Sequence, residues 1–330
     1  MQRFFIGMLA MWVSFAGWAQ DPHFSQFYAN PLYHNPAFTG TGRAGGPRVI
    51  LNYRNQWARL RPGYLTYSVS YDQYFDKIGG GLGMQLLYDK AGDANVTLAQ
   101  ASFSYSYYLR LNQELGLLMG VKASVFQRSI DYSKLIFGDQ IHPVYGVIYE
   151  TQENLPCRCV DNSGIRPDFD AGLLLYSTKY YLGLSVSHIT QPPFSFLGNP
   201  NSILPRRFTL NGGGIISLDR EKVAKRYLSP NLVVHMQDRF LQVLAGLYYV
   251  QNFFTVGAWY RQTNPNGDAV IFQLGLRKEP VSIGYSYDVT LSDARLAVHG
   301  AHEASIIIDL PHKRRAPKKK GWKDIPCPSL

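Results

Sequence analysis

The sequence predicts an all-β fold: a transmembrane antiparallel barrel of about 14 strands, with a plug-like N-terminal segment and a basic C-terminal tail. Three observations predict it. Side chains alternate with a period of two along much of the chain, aromatic residues make up 14% but charged residues only 17%, and the N-terminus carries an export signal. An apolar content of 46% excludes a largely disordered chain.

The alternation is clearest between residues 99 and 110. Aromatic side chains such as Phe103 and Tyr107 occupy odd positions there, and serines such as Ser102 and Ser104 occupy even ones. Successive side chains of a strand point to opposite faces, so this is a strand with one apolar face. The side chains on its other face are small and mostly uncharged. This is typical of the interior of a membrane barrel rather than of the solvent-exposed face of a soluble sandwich.

Fourteen such segments are predicted, and bacterial outer-membrane barrels have an even number of strands. They are 48–56, 63–72, 79–89, 96–109, 114–127, 168–178, 180–189, 206–218, 228–237, 240–250, 253–261, 269–277, 281–288 and 300–310. Hydrocarbon offers no partner for exposed backbone groups, so the sheet must close on itself. With both termini in the periplasm, short connections such as 251–252 predict periplasmic turns and long ones such as 128–167 predict outer loops.

Tyrosine and tryptophan near the predicted strand ends are expected to form girdles at the membrane interfaces, where amphipathic rings are favoured. These residues are Trp57, Tyr71, Tyr88, Trp259 and Tyr260. Ordinary core packing is the alternative role for them.

Residues 1–19 predict a signal peptide. Arg3 supplies a positive charge, residues 4–16 form an almost uncharged apolar run, and Ala19 has the small-residue context of a signal peptidase site. Cleavage is therefore predicted between Ala19 and Gln20. A buried N-terminal helix is the alternative, but the polar stretch that follows at once argues against it. Export places the mature chain in the cell envelope or beyond it.

The C-terminal residues 312–330 form a basic tail. They carry seven Lys and Arg residues against one Asp, so most of the net charge of +10 lies there. Such a segment is typical of an extended periplasmic tail rather than of a core. It is either a solvated terminus or a contact with something acidic, such as a membrane surface, a cell-wall polymer or a partner protein. Nucleic acid is not expected as a partner of an exported chain.

Residues 20–47 lie between the signal and the predicted barrel, 48–311, and are too aromatic and proline-rich for a free tail. Two interpretations stay open: a plug in the barrel mouth or lumen, or a strip that docks a partner. The residues concerned are His23, Phe24, Ser25, Gln26, Phe27, Tyr28, Pro31, Asn35 and Pro36. Near the last two strands, Asp288 and the pair His302 and Glu303 predict a hydrogen-bond network in the lumen, because buried charges need partners.

Catalytic and cofactor motifs are scarce. The sequence contains no P-loop, nucleophile elbow or dinucleotide fingerprint. Cys157 and Cys159 lack further metal ligands at a convincing spacing, and Cys327 is expected on the other side of the membrane. We therefore predict neither a metal site nor a cofactor. A membrane hydrolase would need a serine and a histidine on the barrel wall, for which His188 and His235 are candidates by position only.

The block after the predicted signal carries a family resemblance. Residues 21–40 read DPHFSQFYANPLYHNPAFTG, which closely resembles the opening of the PorP/SprF family, outer-membrane proteins of the Bacteroidota type IX secretion system. Later blocks look similar too: 52–57, 131–135, 137–140, 181–185, 285–288 and 300–303. The resemblance covers essentially the whole mature chain.

The resemblance implies non-enzymatic work in type IX protein secretion and gliding motility, within the lipid of the outer membrane. It also implies contact with a secreted surface protein or adhesin that carries a type IX sorting domain, and with periplasmic secretion-system proteins. It does not imply that this barrel conducts the exported protein, because about 14 strands make a narrower barrel than the porins that leave an aqueous channel. Passive uptake of a small or hydrophobic solute is the alternative function.

Overall fold

The computed structural model describes residues 21–58, 63–112, 114–153, 160–196, 202–219, 226–264, 267–291 and 300–311. The predicted signal peptide, its cleavage site at Ala19 and Gln20, the three cysteines and the basic tail lie outside these residues. No helix in the described part of the chain is long and apolar enough to cross a membrane.

Fourteen strands in the described ranges form one closed antiparallel barrel, which confirms the predicted barrel and its strand number. They are β1 (Arg48–Gln56), β2 (Tyr64–Phe75), β3 (Gly80–Ala91), β4 (Val96–Arg110), β5 (Leu115–Asp131), β6 (Val160–Ser177), β7 (Tyr180–Ser187), β8 (Arg207–Gly214), β9 (Arg226–Gln237), β10 (Phe240–Gln251), β11 (Phe254–Thr263), β12 (Gly267–Lys278), β13 (Val281–Thr290) and β14 (Ala301–Asp309). Each pairs with the next, and β14 pairs with β1 to close the ring. Residues Ile216–Ser217 continue β8 along β9.

Side chains alternate between the two faces as the sequence predicts. On β4, Ser102, Ser104 and Ser106 are buried on the inward face, whereas Phe103 on the outward face is 53% exposed. Large apolar side chains thus cover the outside and small polar ones line the lumen, the reverse of a soluble protein and the pattern of a membrane barrel. This arrangement satisfies the backbone through the sheet and leaves the apolar side chains for lipid.

One predicted girdle residue lies elsewhere. Trp259 points into the lumen, where it is 3% exposed and packs against Phe27 and Tyr248 with ring-centroid distances of 5.3 and 5.5 Å. The girdle prediction is therefore wrong for Trp259, because it occupies an inward register position of β11. Tyr88 and Tyr260 do lie on the outward face.

The barrel has two unlike rims. At the short-turn rim the strands are joined through residues 76–79, 178–179, 252–253 and 279–280 and through two further connections, from β4 to β5 and from β8 to β9. Strand β1 begins and β14 ends at this rim. At the long-loop rim the connections include 132–159 and 188–206. The strand predicted from residue 168 begins at Val160, because 160–170 continue the pairing with the long strand β5 beyond the end of β7. Strands β5 and β6 therefore extend beyond β7 at the long-loop rim.

Residues 21–46, which we name the lumen segment, form short helical turns inside the ring of strands. The turns are Phe27–Ala29, Pro31–His34, Pro36–Phe38 and Arg43–Gly45. The segment starts at the long-loop rim, where Asp21 meets Arg207 at the start of β8, and it reaches the short-turn rim, where Gly40 contacts Asp72. The described residues thus begin at one rim and end at the other, and the placement of both termini in the periplasm stays a prediction.

Candidate functional site

The lumen segment folds locally because of its prolines and an asparagine cap. Pro31 and Pro36 stand at the first positions of their turns, where the missing N–H costs no hydrogen bond and the fixed φ suits a helix. The side chain of Asn35 accepts a hydrogen bond from the Ala37 N–H at 2.9 Å. The backbone of each turn is therefore stabilised locally, and its side chains can contact the wall.

A buried ionic network joins this segment to the wall near the long-loop rim. The carboxylate of Asp288 on β13 lies 2.9 Å from both Arg54 on β1 and Arg261 on β11, and Arg54 also lies 3.1 Å from Glu303 on β14. The side chains of all four are at most 8% exposed. Two cations and two anions balance one another, which a dry interior requires of buried charges.

Ser25 and Gln26 lie at the centre of this network. The Ser25 N–H donates to Glu303 Oε2 at 2.7 Å, and its hydroxyl donates to Asp288 Oδ2 at 2.7 Å. The Gln26 amide donates to the Glu303 backbone oxygen at 2.8 Å and accepts from the Ser305 hydroxyl at 2.5 Å. Because both acids bond directly to the segment, the network orders the segment and the wall as one unit.

A second ionic cluster holds the start of the segment. Asp21 Oδ2 lies 2.8 Å from His188 Nε2 and 2.9 Å from Arg207 Nη1, while His188 Nδ1 lies 2.6 Å from Asp168. Burial lowers the pKa of His188, which lies in the loop after β7, but the attraction of Asp21 and the hydrogen bond to Asp168 outweigh it and raise that pKa to about 9. His188 is therefore a cation that bridges two carboxylates at neutral pH.

Three residues in this cluster, Asp168, Asp170 and His188, bring one ligand atom each within 4.8 Å of one another and could hold a metal ion. The charges around them favour ion pairs instead. Lys122 Nζ lies 2.6 Å from Asp170, and the charged imidazole of His188 bonds to Asp168. A metal ion would have to displace both cations, so the arrangement serves to anchor the segment.

Towards the short-turn rim the segment contacts the wall through amides, hydroxyls and backbone. The Asn35 amide donates to the backbone oxygens of Leu173 and Leu184, at 3.1 and 3.2 Å, and so bridges β6 and β7. Thr39 Oγ1 donates to Ser104 at 2.8 Å, and the Gly40 N–H donates to Asp72 at 2.8 Å. Polar atoms that the curved wall turns inward therefore find partners on the segment.

Glycines in the wall make room for this approach. A Cβ built on Gly120 of β5 would lie 2.3 Å from the Ala37 nitrogen, and one on Gly172 of β6 would lie 2.0 Å from Asn35 Oδ1. Glycine is thus required at these positions because segment and wall are in direct contact.

Aromatic rings pack between the lumen segment and the wall. Tyr28 stacks edge-on against Tyr248 at 5.7 Å, Phe38 meets Tyr181 at 6.1 Å, and His34 lies parallel to His235 at 5.3 Å. Such pairs contribute about 0.5–1.5 kcal/mol each beyond the area that they bury. An enclosed cavity of about 30 Å³ remains beside Asp21 and Arg207, which leaves room for roughly one or two water molecules.

The family of this chain is shown by its similarity to known proteins. The family described as type IX secretion system membrane protein PorP/SprF matches residues 16–308. The chain belongs to the PorP/SprF family. No curated protein matches the sequence. Membership makes this PorP/SprF chain a membrane component of the type IX secretion system.

Solved structures agree with the barrel fold of this PorP/SprF protein. It resembles the Pseudomonas putida toluene transporter TodX with a TM-score of 0.52 and 12% identity, covering 84% of this chain and 93% of that one. It also resembles the CymD monoaromatic hydrocarbon channel with a TM-score of 0.50 and 12% identity, covering 87% and 94% of the two chains. At these identities the likeness establishes the fold alone.

The structure separates the residues that were predicted as one lumen network. Asp288 and Glu303 face inward and share Ser25 and Arg54 as partners, but His302 does not join them. His302 lies on the outward face of β14, with Nδ1 2.7 Å from the Tyr285 hydroxyl and its ring 4.9 Å from that of Tyr287. The prediction is wrong for His302 because neighbours on a strand point to opposite faces, and Glu303 takes the inward one.

The residues predicted in the N-terminal segment of this PorP/SprF protein lie together in the lumen, and they contact different parts of the wall. Ser25 and Gln26 meet the ionic network, and His23 lies 5.5 Å from Phe240 at the long-loop rim. Phe24, Phe27, Tyr28, Pro31, Asn35 and Pro36 are buried. Sequence reasoning missed Arg54 and Arg261, although a charged residue at an inward position of an alternating strand is a usable signal.

Neither candidate for hydrolysis has the surroundings of a catalytic histidine. His188 bonds to carboxylates at both ring nitrogens. His235 lies 3.0 Å from Thr209 Oγ1, but the ring of His34 covers it and both are buried. A nucleophile needs an approach for its substrate, so these geometries favour packing and anchoring.

Proposed function

We propose that the protein is a non-enzymatic outer-membrane component of type IX secretion that docks an exported surface protein or adhesin at the long-loop rim and periplasmic machinery at the short-turn rim. In this arrangement the lumen segment blocks the lumen of the barrel. The observation that carries this proposal is the buried network of Arg54, Asp288, Glu303 and Ser25, which ties the segment to three strands. A barrel whose lumen is built around its own N-terminal segment is suited to docking rather than to conducting a polypeptide.

The plug interpretation is better supported than the docking strip. Phe24, Phe27 and Tyr28 are 4–5% exposed and pack against wall side chains. Before binding a partner they would have to leave the lumen, and about 2 kcal/mol or more of burial would be lost for each ring. Departure of the segment would also remove the hydrogen bonds that Ser25 donates to Asp288 and Glu303. The partner surfaces are therefore the rims and loops.

The basic tail supports the periplasmic half of the proposal. Leu310, which precedes it, lies at the short-turn rim, where its N–H donates to the Pro47 oxygen at 2.9 Å. A tail with seven basic residues thus starts at the rim opposite the long loops. We expect deletion of residues 312–330 to leave barrel assembly intact and to weaken a periplasmic contact in a salt-sensitive manner. Equal capture of machinery proteins at low and high salt by the full chain would contradict this.

Affinity capture from native outer membranes tests the docking function. A tagged full chain, extracted in mild detergent, should recover a secreted protein with a sorting domain together with secretion-system proteins. The chain lacking residues 312–330 is the matched control, and it should keep the exported protein while losing periplasmic machinery. Recovery of neither class by the full chain would overturn the proposal.

Passive transport of a small apolar solute is the second candidate, and the fold likeness to a toluene transporter and a monoaromatic hydrocarbon channel favours it. The filled lumen argues against it, because solute would need a path past the lumen segment. Flux of toluene into liposomes whose outer leaflet is lipopolysaccharide, which slows the unaided passage of apolar solutes, distinguishes the two functions. Uptake by the reconstituted wild-type chain at the rate of empty liposomes supports docking, and a clear excess supports transport.

A further inference from the structure

An apolar groove of about 660 Å³ crosses the lipid-facing side of the barrel wall from β5 to β10. Half-buried side chains such as Ala171 and Val186 form its floor, whereas Leu184 and Phe208, which are 53% and 45% exposed, project beside them. Strand pairing places one outward residue of each of the six strands in a single row along the groove. This row, which we name the groove row, consists of Val121, Ala171, Val186, Phe208, Met236 and Leu241.

The groove row descends from the long-loop rim into the membrane. Leu241 is the second residue of β10, which begins at that rim, whereas Val121 is the seventh residue of β5, which begins at the short-turn rim. Neighbouring strands lie about 4.8 Å apart, so a row across six strands is about 24 Å long. Because the strands of such barrels tilt by about 45°, the row descends by about 17 Å. One leaflet contributes about 15 Å of hydrocarbon, and long loops face outward, so the groove lies in the outer leaflet.

A positive charge lies at the upper end of the groove. Arg206 is the one charged residue of the sequence between His188 and Arg207. Arg207 is buried and faces the lumen, whereas Arg206 and Phe208 on either side of it are exposed. The guanidinium of Arg206 is therefore on the lipid side, one outward position above Phe208 of the groove row.

Arg206 is available to an anionic ligand. Its Nε donates to the Ile189 oxygen at 3.2 Å, and it forms no ion pair with any residue that the structure describes. The neighbouring turn between β9 and β10 carries Asp238 and Arg239, whose opposite charges add no net charge to this end of the groove. The rim above the groove therefore has an excess positive charge.

The position of the groove restricts what covers it. The outer leaflet of a Gram-negative outer membrane consists of lipopolysaccharide, whose lipid A joins several acyl chains to a phosphorylated sugar. Lipid tails are as apolar as leucine, so an acyl chain gains affinity from close van der Waals packing along a groove. A flexible chain can follow the groove, whereas the convex wall of another barrel cannot enter it. Guanidinium and phosphate form strong, often bidentate hydrogen bonds.

We propose that this groove binds an acyl chain of lipid A and that Arg206 binds the phosphate of the same molecule. The chain lies along the groove row with its head end at Leu241. Strand β7 has only eight residues, fewer than the about 9–11 that a spanning strand uses, so the bilayer has to adapt to a short wall here. A lipid held by its phosphate stabilises the wall at this place. The site is separate from the docking rims and does not depend on them.

The lipid content of the purified full chain tests this inference. The chain is extracted from native outer membranes in mild detergent and separated from free lipid by size-exclusion chromatography, and its bound lipid is identified by mass spectrometry. We expect the wild type to retain lipid A and Ala171→Leu, whose larger side chain occupies the groove, to retain at least about tenfold less. Retention of phospholipid in place of lipid A, or of a second protein that Ala171→Leu releases, would overturn the inference.

Titration with a defined lipid tests the role of Arg206. The probe is monophosphoryl lipid A, compared with the same lipid after enzymatic removal of its phosphate, and binding to the delipidated full chain in detergent is followed by native mass spectrometry. The wild type should bind the phosphorylated lipid at least about tenfold more tightly. Arg206→Gln should bind both lipids as the wild type binds the dephosphorylated one. Equal affinity of the wild type for the two lipids would overturn the assignment.

Ala258→Leu and Lys278→Gln are the matched controls. Ala258 is exposed on the outward face of β11, outside the groove, and Lys278 is exposed where β12 ends at the short-turn rim. Both variants should bind lipid A as the wild type does, and every variant is first shown to be folded by its heat-dependent mobility in gels. If Ala258→Leu reduces binding as much as Ala171→Leu does, lipid A covers the wall without preference for the groove and the inference fails.

Discussion

Arg54 on the first strand and Asp288 on the thirteenth meet at 2.9 Å inside the barrel, and both bond to Ser25. The contact spans β14, which lies between their strands in the ring. The lumen segment therefore hydrogen-bonds directly to the charged residues of the wall through Ser25. This coupling makes the lumen segment part of the barrel fold.

Replacing Arg54 with methionine should destabilise the barrel strongly. Glu303 would lose its cation and Asp288 one of two, and an uncompensated buried charge costs about 3–5 kcal/mol. The free energy of unfolding in urea, followed by gel mobility of the protein in lipid vesicles, measures the effect. Lys134→Met is the control: Lys134 is 50% exposed and pairs with Asp131 at 3.6 Å, so less than about 1 kcal/mol is expected. Similar losses in both variants would contradict the prediction.

The strands could be predicted from sequence because their signal is local. The alternation around Phe103 and Ser104 needs only neighbouring residues to be recognised. The early start of β6 could not be predicted from sequence, because residues 160–167 carry no apolar alternation and form a strand through their pairing with β5. Pairing with a neighbouring strand extended β6 over residues whose own side-chain pattern does not predict a strand.

The candidate site was harder to predict because its contacts are distant along the chain. Ser25 bonds to Glu303 across 278 positions, and no local pattern reports that. Composition indicated that the N-terminal segment was not a free tail, but not the direction in which it crosses the lumen. The errors at Trp259 and His302 share one cause: residue type does not reveal which face of a strand it occupies, whereas register does.

A methyl group at Gly120 should displace the lumen segment. The Cβ of Gly120→Ala would lie 2.3 Å from backbone atoms of Pro36 and Ala37, which cannot rotate away. We expect higher ion conductance in planar bilayers and faster chymotrypsin cleavage within residues 21–46. Gly138→Ala is the matched control, since a Cβ there meets nothing within 4 Å. Conductance and cleavage at wild-type levels in Gly120→Ala would show that segment and wall are not in tight contact.

Anchoring of the segment's first residues should weaken in alkaline solution. The folded pKa of His188, about 9, lies above its ordinary value of 6.5, because Asp21 and Asp168 stabilise the cation against the cost of burial. Its contribution to stability is therefore complete below about pH 6.5 and is lost as the pH rises through about 9. The urea midpoint of the wild type should fall between neutral and alkaline pH, and that of His188→Gln should fall less. Parallel pH profiles would refute this assignment.

The path of the lumen segment predicts the side on which each part of the chain is reached. Asp21 lies with the long loops, whereas the turn at Glu279 lies at the opposite rim, where β12 ends and β13 begins. Long loops face outward in bacterial barrels, so an epitope inserted before Asp21 and one inserted after Gly92 should both bind antibody on intact cells. An epitope beside Glu279 should bind only after the outer membrane is permeabilised. If the epitope before Asp21 behaves like the one beside Glu279, the segment does not cross the lumen, and the ionic network around Ser25 cannot form as described.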